Sequence, residues 1–137
     1  MSWFECKVTY EKEVGNNGVF KKVSENYLVD AENFTEAEAR LTKYLDGRGA
    51  FIMVSVKKVR LYELFLDHKS QRFYKAKVGF ITLDEKNGCE KKKYVQMLVQ
   101  ADDLELALEG LHKGMKGTLS DYEIASIAET SIVEVVK

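Results

Sequence analysis

The sequence predicts an α+β protein built as a tandem repeat of two β-β-α-β units. Three observations support this fold class. Residues recur at a constant offset of 70 from Trp3 to Leu41. Within each copy, apolar residues first alternate with a period of two and then recur at helical spacing. Asn-Gly pairs lie where hairpins are expected. We expect about six strands, two helices packed on one face, a pseudo-twofold relation and a plait related to the ferredoxin-like fold.

The repeat is the main organising feature of the chain, because internal repeats decide the architecture. After one inserted residue the offset becomes 71, and the match resumes from Phe51 and Tyr122 onward. We predict a single domain, 1–137, in which repeat one spans 3–65 and repeat two spans 72–136. The pattern leaves open whether the strands form one sheet or two. Identical pairs include Lys7/Lys77, Val8/Val78, Asn17/Asn87, Gly18/Gly88, Leu28/Leu98, Val29/Val99, Ala31/Ala101, Ala37/Ala107 and Leu41/Leu111.

The first copy opens with an alternating strand from Trp3 to Glu11, a turn over Val14–Val19 and a return strand over Phe20–Ala31. A helix follows, for which Thr35 and Glu38 have the spacing of a capping box. Glycines end this helix. A third strand runs over Phe51–Val59, and we expect the chain to stay extended as far as Phe65. The apolar stripe of the helix comprises Phe34, Ala37, Leu41, Tyr44 and Leu45.

The second copy repeats this order from Arg72. Asn87-Gly88 predicts its hairpin, and Asp102 or Asp103 is expected to cap its helix. The last strand runs over 122–130, and the chain continues from Ser131 to Val136 as a strand or a frayed tail. The second helical stripe comprises Leu104, Ala107, Leu108, Leu111 and Met115.

Composition excludes several classes of protein. The net charge of −1 argues against strong bulk affinity for nucleic acid. The N-terminal sequence carries no secretory signal, and no apolar run is long enough to span a membrane. Cys6 and Cys89 have neither metal-ligand spacing nor a disulfide framework. We therefore expect a cytoplasmic protein that does not bind membranes.

No pattern in the chain predicts catalysis, so we expect no catalytic residue, no metal and no cofactor. His68 and His112 lack carboxylate or cysteine partners at a diagnostic spacing and are interpreted as solvated. The glycine-containing segment 114–121 follows a helix, whereas a phosphate cradle precedes one. We interpret it as a helix end and crossover loop in which Met115 and Leu119 point inward.

A candidate binding surface lies on the outward faces of the strands that open each copy. Lysines and aromatics on one sheet face can bind single-stranded nucleic acid by stacking bases and meeting phosphates. The same lysines could simply solubilise an exposed face, and the aromatics could mark a self-association patch. The residues of this surface are Trp3, Lys7, Phe73, Lys75 and Lys77, and Lys116 is a further candidate in the glycine loop.

The chain also resembles a known family. WFECKV, KKVSENYLVDAENFTEAEAR, FITLDEKNG, LVQADD and GMKGTLSDYEIASIAETSIVEV resemble the uncharacterised domain-of-unknown-function family 4494 of gut anaerobes and their bacteriophages. The resemblance covers residues 3–136. It implies a small cytoplasmic protein, bacterial or phage, with no assigned activity and no catalytic residues to carry over.

These observations together predict a non-catalytic binding or interaction protein that forms a homo-oligomer or binds another protein. One alternative is single-stranded nucleic-acid binding through the lysine and aromatic face. A second alternative is a small-ligand or nucleotide site at the interface of the two repeats.

Overall fold

In the computed structural model, which describes residues 2–16 and 18–137, the chain is an α+β protein. The described residues form two helices and eight strands in two mixed sheets. The strands are β1 (Ser2–Glu13), β2 (Phe20–Ala31), β3 (Ile52–Val59), β4 (Glu63–Phe65), β5 (Arg72–Asp84), β6 (Cys89–Ala101), β7 (Asp121–Glu129) and β8 (Ile132–Val136). The helices are α1 (Phe34–Tyr44) and α2 (Leu104–Gly114).

The predicted class is confirmed, but the strand number is corrected from about six to eight. The segments expected to extend the third and sixth strands form separate short strands, β4 and β8. Three residues separate β3 from β4 and two separate β7 from β8, so the chain turns between them. The prediction that both helices pack on one face is corrected to one helix for each sheet, because α1 packs against strands of the first sheet and α2 against strands of the second.

The chain divides into two compact units. The first runs as far as Arg60 and takes up Ser131–Lys137, and the second is Leu61–Thr130. These boundaries differ from the ends of the predicted repeats, 3–65 and 72–136. The difference arises because the short strands that end those repeats hydrogen-bond elsewhere: β4 pairs with β6, and β8 pairs with β2.

The sheet of the first unit has the strand order β3-β1-β2-β8. β1 is antiparallel to both β2 and β3, so β2-α1-β3 is a crossover between parallel strands separated by one strand. β8 lies parallel to β2. The core between α1 and the sheet is formed by Phe4, Cys6, Val8, Tyr27, Val29, Ala31, Ala37, Leu41, Leu45 and Val136.

The sheet of the second unit has the order β4-β6-β5-β7. β5 is antiparallel to β6 and β7, and β4 is parallel to β6. The core under α2 is formed by Tyr74, Ala76, Val78, Met97, Val99, Ala101, Ala107, Leu111 and Met115.

The two predicted hairpins are present. Gly88 has a φ of 63° and donates its amide to the Asp84 carbonyl at 2.8 Å, closing the β5–β6 turn. Gly18 has a φ of 69° between β1 and β2. Both conformations are in the region that favours glycine. Asn17, which the sequence placed in the first turn, lies outside the described residues.

The caps correct one prediction and confirm another. The N-cap of α1 is Asn33, whose side chain accepts from the Glu36 amide at 2.9 Å, so Thr35 and Glu38 do not form the capping box. The helix starts two residues earlier than that spacing implied. Asp103 caps α2 in the same way, with its carboxylate accepting from the Leu106 amide at 2.8 Å.

The predicted helical stripes are only partly buried, with Ala37, Leu41, Ala107 and Leu111 in the core. Phe34 is 53% exposed and touches Phe4 edge-on, with ring centroids 5.0 Å apart. Leu104 and Leu108 are also exposed. In the loop after α2, Met115 is buried as expected, but Leu119 is fully exposed because the chain leaves the core there to start β7. That part of the prediction was wrong.

Candidate binding surfaces

The predicted lysine and aromatic surface is divided between the two sheets. Trp3 and Lys7 lie on β1 of the first unit, where Trp3 is half-buried and Lys7 exposed. Phe73, Lys75 and Lys77 lie on β5 of the second unit. Lys116 is exposed in the loop after α2.

Phe73 does not offer its ring for stacking, because it is only 1% exposed. Both faces of β5 are covered near its start, where Phe73 and its neighbour Tyr74 are both buried. Lys77 is exposed, and its ammonium lies 4.7 Å from the centre of the Tyr94 ring, an attractive cation–π geometry. Period-two alternation predicts that Phe73 faces solvent, because that pattern assumes that only one face of the strand is buried.

The titratable groups show no catalytic arrangement within the described part of the chain. His68 and His112 are exposed, as expected. The Nδ1 atom of His112 lies 3.2 Å from the Tyr122 hydroxyl, which is a surface hydrogen bond. Among residues 2–16 and 18–137, no cluster of His, Cys, Asp and Glu could hold a metal ion. No helix in this part of the chain is long and apolar enough to cross a membrane.

Two edge strands are notable for their length and charge. β3 and β7 are the outermost strands of their sheets, so within the described residues their outer backbone edges face no further strand. β3 carries Lys57 and Lys58 and no acidic residue, whereas β7 carries Asp121, Glu123 and Glu129 and no basic one. Glu123 pairs with Lys92 at 3.1 Å and Glu129 with Arg72 at 3.5 Å, which partly offsets the charge of β7.

β3 also exposes large apolar side chains. Ile52 is 67% exposed and Val54 is 53% exposed. Edge strands of folded proteins are usually short or guarded by charge, since an open edge can pair with another chain. In β3, charged side chains are present only in the C-terminal half of the strand, at Lys57 and Lys58.

A cleft of about 940 Å³ lies within the second unit, between α2 and the chain from β4 to Ser70. Its apolar lining includes Leu64, Leu66, Val99 and Leu106. Gly110 and Gly114 lie on the α2 side of the cleft. A side chain at Gly114 is excluded by the Phe65 ring, because an added Cβ would be 2.5 Å from it.

Hydrogen bonds hold the loop that borders this cleft. The Gln100 side chain accepts from the Asp67 amide at 3.0 Å and donates to the Ser70 carbonyl at 2.7 Å. The Asp102 carboxylate accepts from the Gln71 amide at 3.1 Å. The cleft is therefore bordered by a fixed loop. The sequence analysis did not predict this cleft. A signal was present, because the residues 70 positions after Arg40 and Tyr44 are the glycines Gly110 and Gly114.

These features describe a small α+β protein with two helix-covered mixed sheets, open sheet edges and one cleft of note. The chain belongs to the family described as Domain of unknown function (DUF4494), whose model matches residues 2–137. The resemblance noted from the sequence is thereby confirmed. No curated protein and no solved structure matches the chain significantly.

Proposed function

We propose that this protein is a non-catalytic interaction protein that associates with copies of itself. The observation that carries the proposal is the complementarity of its two long edge strands, one basic and one acidic. The outer edge of β3 in one copy would pair with the outer edge of β7 in the next. Such a head-to-tail contact closes into a ring or extends as a filament, depending on the rotation between copies.

An antiparallel register supports this pairing. When Val56 is set against Ile124, Met53 falls opposite Ile127. These four side chains all pack toward the helix-covered faces of their own sheets. The same register places Lys57 opposite Glu123 on the other face, and opposite charges directly across a strand pair are stabilising. Both strands also carry a bulge at the matching point, across from Lys7/Val8 and Lys77/Val78.

Charge also selects against other pairings. Two copies of β3 would bring Lys57 and Lys58 near each other, and two copies of β7 would bring acidic residues together. Like charges across strands are destabilising, so the head-to-tail pairing is favoured over either self-pairing.

Size-exclusion chromatography with light scattering tests the proposal. The wild type should associate as its concentration rises, whereas Lys57→Glu and Glu123→Lys alone should each weaken association. A mixture of the two variants should associate again, because the reversed strands are complementary. Lys22→Glu, which reverses a charge at the hairpin end, is the matched control. A wild type that stays monomeric up to millimolar concentration would refute the proposal.

We also propose that the fold is a tandem repeat of two β-β-α-β units. The support is residue-by-residue equivalence at the offset of 70. Both hairpins share one register, from Ser2↔Ala31 in the first to Arg72↔Ala101 in the second. The equivalent core pairs are Phe4/Tyr74, Cys6/Ala76, Val8/Val78, Tyr27/Met97, Val29/Val99, Ala31/Ala101, Ala37/Ala107, Leu41/Leu111 and Leu45/Met115. The split crossover β2-α1-β3 supports a relation to ferredoxin-like plaits.

Single-stranded nucleic-acid binding is a second candidate. It is favoured by exposed Lys7 and by Lys77 lying over Tyr94, and it is weakened by the burial of Phe73. Fluorescence anisotropy with labelled oligonucleotides should show binding that falls steeply with salt and with Lys77→Ala. No binding at low salt would remove this candidate. A small-ligand site between the two repeats stays a prediction.

A further inference from the structure

We propose that the cleft of the second unit binds a guanidinium group carried on an aliphatic stem, such as an arginine side chain of a partner protein. The inference rests on the repeat equivalence proposed above. It concerns a site unrelated to the β3 and β7 edges, so it goes beyond self-association.

The first unit shows what occupies the equivalent place. Arg40 of α1 donates from Nη1 to the Asp30 carbonyl at 2.9 Å. Its Nη2 atom lies 2.8 Å from the Glu36 carboxylate, one helical turn earlier. The side chain thus links the helix to the end of β2. This unit fills the space beside its helix with its own guanidinium.

The second unit has the same order of strand and helix at this place but lacks the counterpart of the Arg40 side chain. Gly110 stands at the position of Arg40, Gln100 at that of Asp30 and Leu106 at that of Glu36. All three line the cleft. Tyr44, the other bulky residue of α1 in this region, is matched by Gly114, which also lines it. The cleft therefore coincides with the positions that Arg40 and Tyr44 fill in the first unit.

The lining suits an arginine side chain. Leu66, Val99 and Leu106 offer apolar surface to the methylene stem, in the way that long cationic side chains commonly bury their stems. The backbone carbonyl of Gln100 is the counterpart of the Asp30 backbone carbonyl, which accepts from Arg40 in the first unit. A guanidinium loses less hydration than an ammonium on entering such a partly apolar cleft, because it is planar and more weakly hydrated.

The charges around the cleft favour a cation by a narrow margin. Carboxylates come from Asp67, Asp102 and Glu109, and ammonium groups from Lys69 and Lys113. Asp67 and Asp102 are held toward the loop by backbone amides at 3.1 Å. Glu109 is the carboxylate on α2 itself and precedes Gly110. We assign Glu109 as the group that pairs with the bound guanidinium.

Amide chemical shifts of the labelled protein, measured during a titration with n-butylguanidinium, test the proposal. We expect shifts centred on Leu106 and Gly110, with n-butylurea, which is uncharged, producing none. Glu109→Gln should weaken the binding severalfold. Leu106→Glu, which supplies the counterpart of Glu36, should strengthen it about tenfold.

The double variant Leu106→Glu/Gly110→Arg gives the sharpest control. It rebuilds the pair of Glu36 and Arg40, so it should fill the cleft and abolish the shifts. An added Cβ at Gly110 would lie 3.3 Å from Val99, so that side chain would have to shift by a few tenths of an ångström. At the offset of 70, the first unit has Arg40 and Val29 at these two positions. No wild-type shifts, equal shifts with n-butylurea, or undiminished shifts in the folded double variant would overturn the inference. Light scattering on the same samples reports self-association separately, so the two proposals fail independently.

Discussion

The phenolic hydroxyl of Tyr27 donates a hydrogen bond of 2.7 Å to the carboxylate of Glu25. Tyr10 donates to the same carboxylate from the neighbouring strand. Burial, followed by this hydrogen bond, raises the pKa of Tyr27, and the bond to Glu25 raises the pKa of Tyr10. Seventy residues later, the second unit has Phe80, Val95 and Met97, all apolar. One unit thus uses a polar link where the other uses apolar contacts.

Removing Glu25 should destabilise the protein. In Glu25→Ala the Tyr27 hydroxyl, on a residue only 5% exposed, loses its acceptor. An unsatisfied buried polar group costs about 1–3 kcal/mol, which urea unfolding would measure. The triple variant Tyr10→Phe/Glu25→Val/Tyr27→Met, which copies the second unit, should lose less. Equal losses in the two variants would show that the hydrogen bonds do not matter.

Cys6 should make stability depend on alkaline pH. Burial, with smaller contributions from the charges of Glu38 and Glu5, raises its pKa from 9.0 to about 11. Above pH 9 the unfolded thiol ionises while the folded one stays protonated, so stability present below pH 9 is lost as the pH rises through 11. The loss from this thiol is about 2–3 kcal/mol.

The test is urea unfolding between pH 7 and pH 11 under reducing conditions. Cys6→Ala, which introduces the residue found at Ala76, should flatten the pH dependence of the free energy of unfolding. Cys89→Ala is the control, because that thiol is exposed. The tyrosines contribute a further loss above pH 10 in every variant. A Cys6→Ala protein with the wild-type slope would contradict the prediction.

Asn33→Ala should cost about 1 kcal/mol, because the Glu36 amide at the start of α1 loses its side-chain acceptor. Thr35→Ala should be nearly neutral, since Thr35 lies inside the helix and does not cap it. Asp103→Ala is the matched variant in α2 and should lose a similar amount. Chemical denaturation of the three proteins measures these differences. A larger loss for Thr35→Ala than for Asn33→Ala would support the capping box instead.

Gly114→Ala should destabilise the second unit, because the new methyl group would overlap the Phe65 ring at 2.5 Å. Overpacking of this kind costs about 1–3 kcal/mol. Phe65→Val relieves the overlap and copies Val136, the counterpart of Phe65 at the offset of 71. A double-mutant cycle should therefore give a favourable coupling between Gly114→Ala and Phe65→Val. Additive losses would show that the ring moves aside freely.

Val136→Asp should unfold or strongly weaken the first unit, because it places an unpaired carboxylate in the core under α1. We expect a loss of several kcal/mol, seen as faster amide hydrogen exchange in β1 and β2. Val133→Asp on the same strand is the control, since Val133 is 41% exposed. Unchanged exchange in Val136→Asp would mean that β8 is dispensable to this unit.

Much of the fold could be predicted from local patterns. Alternation located β1 and β5, and glycine chemistry located the turns at Gly18 and Gly88.

The surfaces were harder to predict. Phe73 was expected on an open face because period-two alternation cannot show that both faces of a strand are covered. The cleft was not predicted because Gly110 and Gly114 form a cleft only together with Phe65 and the loop from Leu66 to Ser70, which are distant in sequence.

By itself, the sequence determined the α+β class, the two helices and core residues such as Ala37, Leu41, Ala107 and Leu111, because periodicity and turn residues act over a few neighbouring residues. Only the tertiary structure decided that Glu63–Phe65 pairs with β6 and Ile132–Val136 with β2. Strand pairing depends on backbone edges brought together from distant parts of the chain, and side-chain patterns do not encode which edge a short strand meets. The same non-local contacts leave β3 and β7 as the outer strands and form the cleft beside α2.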